Sequence, residues 1–112
     1  MYINDKYQNG RTVQSIDDIG EFLLELFTGC TNERFYLVCL DRTCKILQTI
    51  LIAEGSMDSV MVDTRKVVEA ALSSQAAGVV LAHNHPQGFA IPSDRDIATT
   101  IRLVEGLAVI NV

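Results

Sequence analysis

Between Ile16 and Phe27 apolar residues recur at Ile16, Ile19, Leu23 and Phe27, the spacing of one helix face, with Ser15 before the run and Gly29 after it. This predicts a capped amphipathic helix of about thirteen residues. The period then changes. Arg34 to Leu40 is a continuous apolar run, Asp41-Arg42-Thr43 reads as a hairpin connection, and Lys45 to Ala53 is a second apolar run, so two central strands are expected here. Glu54 to Ser59 reads as a turn region and Val60 to Val62 as a short strand. Asp63 or Thr64 caps a helix through Leu72 whose inward face is Val67, Val68, Ala71 and Leu72. Ala77 to His83 is a short apolar run read as a buried strand, stopped by Pro86 and Gly88. A helix from Asp94 to about Glu105 follows, and the closing run Leu107 to Val112 is expected to begin another strand. Met1 to Val13, polar and carrying Asn9-Gly10, reads as a loosely held arm or linker of residues 1–13 before a domain of residues 14–112. Strands joined partly by a hairpin and partly by helical crossovers predict an α/β fold, a mixed β-sheet flanked by helices.

At 112 residues the chain is one domain, and 48% hydrophobic content with a net charge of −5 describes a globular protein. The charge is spread evenly, and the longest cationic run is Arg65-Lys66. Direct nucleic-acid binding is therefore not expected. Cys30, Cys39 and Cys44 are odd in number and lack paired C-x-x-C spacing, so they read as reduced thiols of a cytoplasmic protein. No signal-peptide pattern and no 18-residue apolar segment occurs, so no membrane association is expected.

Candidate chemistry is concentrated in Leu81 to Asp96. The two histidines of the chain, His83 and His85, stand one residue apart at the end of the predicted strand. Side chains two apart on a strand share a face, so both imidazoles can converge on one ion while Asn84 points away. Ser93 precedes the helix as its N-cap and places Asp96 in the first turn, from which the carboxylate could supply a third ligand. Two imidazoles and one carboxylate leave an open position for water, as in a catalytic zinc site. A competing reading needs no metal: Ser93 and Asp96 are also an ordinary helix-capping pair.

His83, His85, Ser93 and Asp96 fit His-x-His-x7-Ser-x2-Asp without a gap, which resembles the JAMM motif of the JAB/MPN metalloprotease superfamily. HNHPQGFAIPSDRDI is similar to the signature of the bacterial RadC-like branch, as are Glu54 to Ser59 and the helix Val62 to Leu72; the likeness runs from about Arg34 to Val112. The resemblance implies a JAB/MPN α/β sandwich related to the cytidine-deaminase-like fold. It also implies a zinc-dependent metallopeptidase or isopeptidase-like hydrolase acting on a peptide or protein. Zn2+ would be held by His83, His85 and Asp96, with Ser93 hydrogen-bonding the oxyanion. A non-catalytic metal-binding module and a DNA repair or recombination role are the alternatives.

The resemblance further implies a general base, a glutamate on an earlier strand. Aligned without gaps from Asp41 to Gly55, that position falls on Thr49 or Ile50, neither of which can take a proton. Glu54 is the nearest carboxylate, on the strand face of Ile50 but roughly 13 Å further along; its competing reading is a solvated turn residue. RadC-like domains usually continue past the position of Val112, so the expectation is a fragment of a longer protein or a homodimer covering an open C-terminal sheet edge.

Overall fold

The computed structural model describes residues 2–3, 10–55, 62–85 and 94–112, and of residues 2–3 and 94–96 the backbone alone. In chain order the elements are β1 (Tyr2–Ile3), α1 (Ile16–Phe27), β2 (Glu33–Leu40), β3 (Ile46–Gly55), α2 (Thr64–Ser73), β4 (Gly78–His83) and α3 (Asp94–Val109). Among the described residues the strands form one sheet in the order β1-β3-β2-β4, and every neighbouring pair is antiparallel. The α/β class holds, with one difference from expectation. The crossover through α2 joins β3 to β4, which run in the same direction, but β2 lies between them, so no parallel pair of the mixed sheet forms among the described strands.

β2 is the centre because its alternate residues are apolar on both faces. Phe35, Leu37 and Cys39 pack with Val67, Ala70 and Ala71 of α2 and with Leu103 and Leu107 of α3. Tyr36 and Val38 face the other way, onto Phe22 and Leu26 of α1. The result is helix, sheet, helix. Full burial of a side chain such as Leu37 or Phe22 contributes about 1.5–3 kcal/mol, and these two clusters supply most of what holds the layers together.

The helix starts follow from their caps. The Ser15 hydroxyl accepts from the Asp18 amide at 3.0 Å and the Asp63 carboxylate from the Arg65 amide at 2.9 Å, each satisfying a donor the helix itself cannot. The inward face of α1 differs from the expected set. Phe22 and Leu26 are its buried residues, Ile19, Leu23 and Phe27 flank them, and Ile16 is exposed. In α2, Val67, Ala70 and Ala71 are buried, whereas Leu72 is exposed. Arg42 and Thr43 make the tight connection between β2 and β3, where the Asp41 carboxylate accepts from the Thr43 hydroxyl and amide and from the Lys45 amide, and Cys44 takes the left-handed conformation. Those hydrogen bonds, that of the Thr43 hydroxyl foremost, hold Asp41 below the ordinary carboxylate range.

The N-terminal segment is tied to the sheet in its described parts. Tyr2–Ile3 pairs with β3, and residues 10–13 are stitched to the start of β3 by hydrogen bonds from the Gly10 amide to Ile46 O, the Ile46 amide to Arg11 O and the Val13 amide to Cys44 O. The closing run Leu107 to Val112 is not a strand. α3 continues to Val109, because Leu103 and Leu107 keep the helical stripe that faces the core. It then ends in a Schellman turn: Asn111 is left-handed, its amide reaches Ala108 O, and the Val112 amide reaches Leu107 O at 3.1 Å. The strand expected over Val60 to Val62 falls almost wholly outside the described residues.

α3 is seated closely on α2. A Cβ at Gly106 would lie 3.0 Å from Thr64 Cγ2, and Arg102 donates to Thr64 Oγ1 and to Val62 O, both at 3.0 Å. Cys30, Cys39 and Cys44 form no disulfide, and burial pushes the Cys39 thiol above its ordinary range. Among the described residues no helix is long and apolar enough to cross a membrane.

Thr49, fully buried on the α1 side of β3, has a hydroxyl that finds no hydrogen-bond partner among the described residues. Leaving such a group unsatisfied costs about 1–3 kcal/mol. Thr49→Val should therefore raise stability by about 1 kcal/mol in urea titration; a lowered midpoint would show that the hydroxyl is bonded in the folded chain.

Candidate metal centre

β2 and β4 pair with Phe35 opposite His83, and the Asn84 amide donates to Arg34 O at 3.4 Å, carrying the ladder one residue beyond β4. Since Phe35 packs toward α2 and α3, the parity of the strands puts Glu33, Phe35 and His83 on that same face. The ring centroids of His83 and His85 are 5.0 Å apart with planes at 78°. Phe35 closes the inner side, its ring 6.2 Å from that of His83. Both imidazoles are half-buried at the strand end, a placement from which they can share a ligand.

Glu33 is the residue that reading the sequence missed. It is 9% exposed, and its Oε2 lies 3.9 Å from His83 Nε2, beyond a direct hydrogen bond. The strand was expected to begin at Arg34, which left Glu33 in a loop. The usable signal was parity: a carboxylate two residues before Phe35 on a buried strand must share the face of Phe35.

Glu54 is placed elsewhere. It pairs across the ladder with Arg34, whose guanidinium donates to Glu54 Oε2 at 2.9 Å and to the Tyr36 hydroxyl at 3.2 Å, and Asn32 Nδ2 also donates to Glu54 Oε2 at 3.3 Å. Tyr36 belongs to the α1 face, so Glu54 sits on the side of the sheet away from the histidines. The cause is a bulge. Tyr36 pairs with Leu51 but Phe35 pairs with Ala53, so Ile52 is an extra residue and every side chain after it changes face. The parity that joined Glu54 to Ile50 is broken there. Thr49 is buried on the α1 side and Ile50 in the core beneath α2 and α3.

Asp96 is in the first turn of α3, the helix whose Leu103 and Leu107 cover the histidine-bearing face. Its side chain, and Ser93 altogether, lie outside the described residues. Among the described residues no group of three or more His, Cys, Asp or Glu side chains is arranged to hold a metal ion. What the described part supplies is two adjoining imidazoles, aromatic backing and a buried carboxylate beside them. Paired imidazoles are ligands of the kind a zinc ion takes, but the described residues alone complete no such site.

The Asn84 side chain faces away from this cluster and is hydrogen-bonded at both its oxygen and its nitrogen. Its Oδ1 accepts from the Arg34 amide at 2.6 Å and its Nδ2 donates to Asn32 O at 3.0 Å, one on each side of Glu33.

Comparison with known proteins agrees with this architecture. The model of the RadC-like JAB domain matches residues 13–112. A UPF0758 protein of Vibrio parahaemolyticus is 32% identical over 99% of this chain and 50% of its own length. A UPF0758 protein of Alcanivorax borkumensis is 35% identical over the same shares, and one of a Shewanella species is 34% identical over 96% of this chain and 48% of its own. The chain thus spans about half the length of these curated relatives. With its antiparallel sheet between two helical layers and a domain match over nearly all of its residues, the chain belongs to the RadC-like JAB domain family.

Proposed function

We propose that this chain is a zinc-dependent hydrolase of amide bonds in peptides or proteins, with His83, His85 and Asp96 holding the ion and Glu33 acting as general base. The observation that carries this reading is the Glu33 carboxylate, buried on the histidine face 3.9 Å from His83 Nε2. A buried carboxylate beside a half-buried histidine pair costs desolvation energy that core packing alone does not require. Zinc, when bound, supplies Lewis acidity, lowering the pKa of a water toward ~7 and polarising a carbonyl.

The chain's own residues then divide the work. Glu33 takes the proton of the attacking water on its carboxylate and returns it to the leaving amine, so the proton inventory closes on one side chain. Phe35 excludes solvent from the inner side, which strengthens each charge interaction in the site. Ser93 donates to the oxyanion that develops on the carbonyl. Glu54, tied to Arg34 and Asn32 on the other face, takes no part. The reading as a non-catalytic metal-binding module rested on the lack of a base, and the placement of Glu33 beside His83 supports the catalytic reading instead. The net charge of −5 gives no support to direct contact with nucleic acid.

Metal analysis of the purified chain followed by a peptide-library cleavage assay tests the reading. Stoichiometric zinc and cleavage that chelator abolishes and zinc restores are expected. Cleavage indifferent to chelator, or a protein that takes up no zinc at neutral pH, would end it.

A further inference from the structure

The word His83-Asn84-His85-Pro86 contains a structural problem that the Asn84 side chain solves. Beyond His83 the ladder to β2 would next need an acceptor for the Arg34 amide and a donor for Asn32 O. In the register of this pair, that donor would be the amide of residue 86, and residue 86 is a proline with no N–H to give. Asn84 meets both needs with one carboxamide: Oδ1 takes the Arg34 N–H at 2.6 Å and Nδ2 serves Asn32 O at 3.0 Å. The backbone partners fix which end of the amide is which, since an N–H must meet the oxygen and a C=O the nitrogen.

These two bonds grip the peptide units on either side of Glu33. On its other edge β2 is held by β3, where Glu33 stands opposite Gly55. We propose that Asn84 is a positioning residue for Glu33: its side chain carries the hydrogen bonding to β2 past the end of the β4 ladder and so fixes the direction in which the Glu33 carboxylate leaves the strand, beside the histidine pair. The proposal rests on the reading of Glu33 as general base for its catalytic consequence, and on the hydrogen bonds alone for its structural one. The Asn84 carboxamide is bonded to the β2 backbone, away from the histidine pair. Asn84 is the residue between two ligands, its side chain on the opposite face, so its effect reaches the site only through the β2 backbone.

The test separates the two claims. In the metal-free chain, amide hydrogen exchange of Arg34 should quicken by about tenfold or more in Asn84→Ala, the loss of one ordinary hydrogen bond, while amides of Leu37 and Ile50 keep their protection. Asn84→Asp retains the acceptor and loses the donor, so it should restore protection at Arg34. A crystal structure of Asn84→Ala should show the Glu33 carboxylate displaced from the 3.9 Å separation to His83 seen here. In the zinc-loaded protein, Asn84→Ala should lower kcat by about ten- to a hundredfold with KM nearly unchanged, and should add almost nothing in a Glu33→Gln background. Unchanged Arg34 exchange, an unmoved Glu33, or an effect that adds in full to that of Glu33→Gln would each overturn the proposal. A wild-type chain that cleaves nothing would defeat the hydrolase reading alone, with exchange and crystallography still deciding whether Asn84 positions Glu33.

Discussion

Glu33→Gln should lower turnover by about 10²- to 10⁴-fold, the usual contribution of general-base catalysis, while stoichiometric zinc is retained. The substitution keeps the size and buried position of the side chain and removes its capacity to accept a proton. Glu54→Gln, by contrast, should leave turnover within about threefold, because a half-exposed ion pair on the opposite face contributes at most about 1 kcal/mol and only to stability. The pair of variants is read in one assay, as kcat for cleavage of the best library peptide at saturating zinc. A large loss with Glu54→Gln and none with Glu33→Gln would reverse the assignment. Equal, small effects would mean that neither carboxylate is the base.

His83→Ala should abolish stoichiometric zinc while leaving the metal-free fold in place. His83 ends a strand whose core contacts are made by other residues, with Ala82 buried and Val80 and Leu81 packed on the two faces, so the sheet does not depend on the imidazole. Loss of a direct ligand should weaken zinc by more than the roughly 10- to 100-fold typical of an outer partner. The measurement is thermal unfolding with and without zinc. A ligand at a thousand times its Kd stabilises by about 4 kcal/mol, so the wild type should show a rise in Tm on zinc addition that His83→Ala lacks. Asp96→Asn separates the two readings of the helix start: a capping role leaves the zinc-dependent rise intact, and a ligand role removes it. A wild type without any zinc-dependent rise would refute the site.

Some of this was legible in the residues. The order of helices and strands, both N-caps and the hairpin at Asp41 to Thr43 follow from local rules, because a cap or tight turn is settled within a few residues. The adjacency of His83 and His85 follows from strand parity, which is equally local. The end of α3 was misjudged for a local reason as well: Leu107 to Val112 is apolar enough for a strand, and only the core beneath Leu103 and Leu107 made the helix the better use of those side chains.

Other features belonged to the tertiary structure. The apolar residues of α1 admit several rotations, and the layer opposite Tyr36 and Val38 selected the one that buries Phe22 and Leu26. Glu54 changed sides because a bulge is a property of two strands paired, invisible in either strand alone. Glu33 became a candidate only when pairing brought a residue near the start of β2 beside one at the end of β4, fifty positions away in sequence. The sequence by itself determined that the two histidines share one strand face, since that depends only on a period of two. Which carboxylate stands beside them was decided by register, because a one-residue slip moves every following side chain to the other face of the sheet.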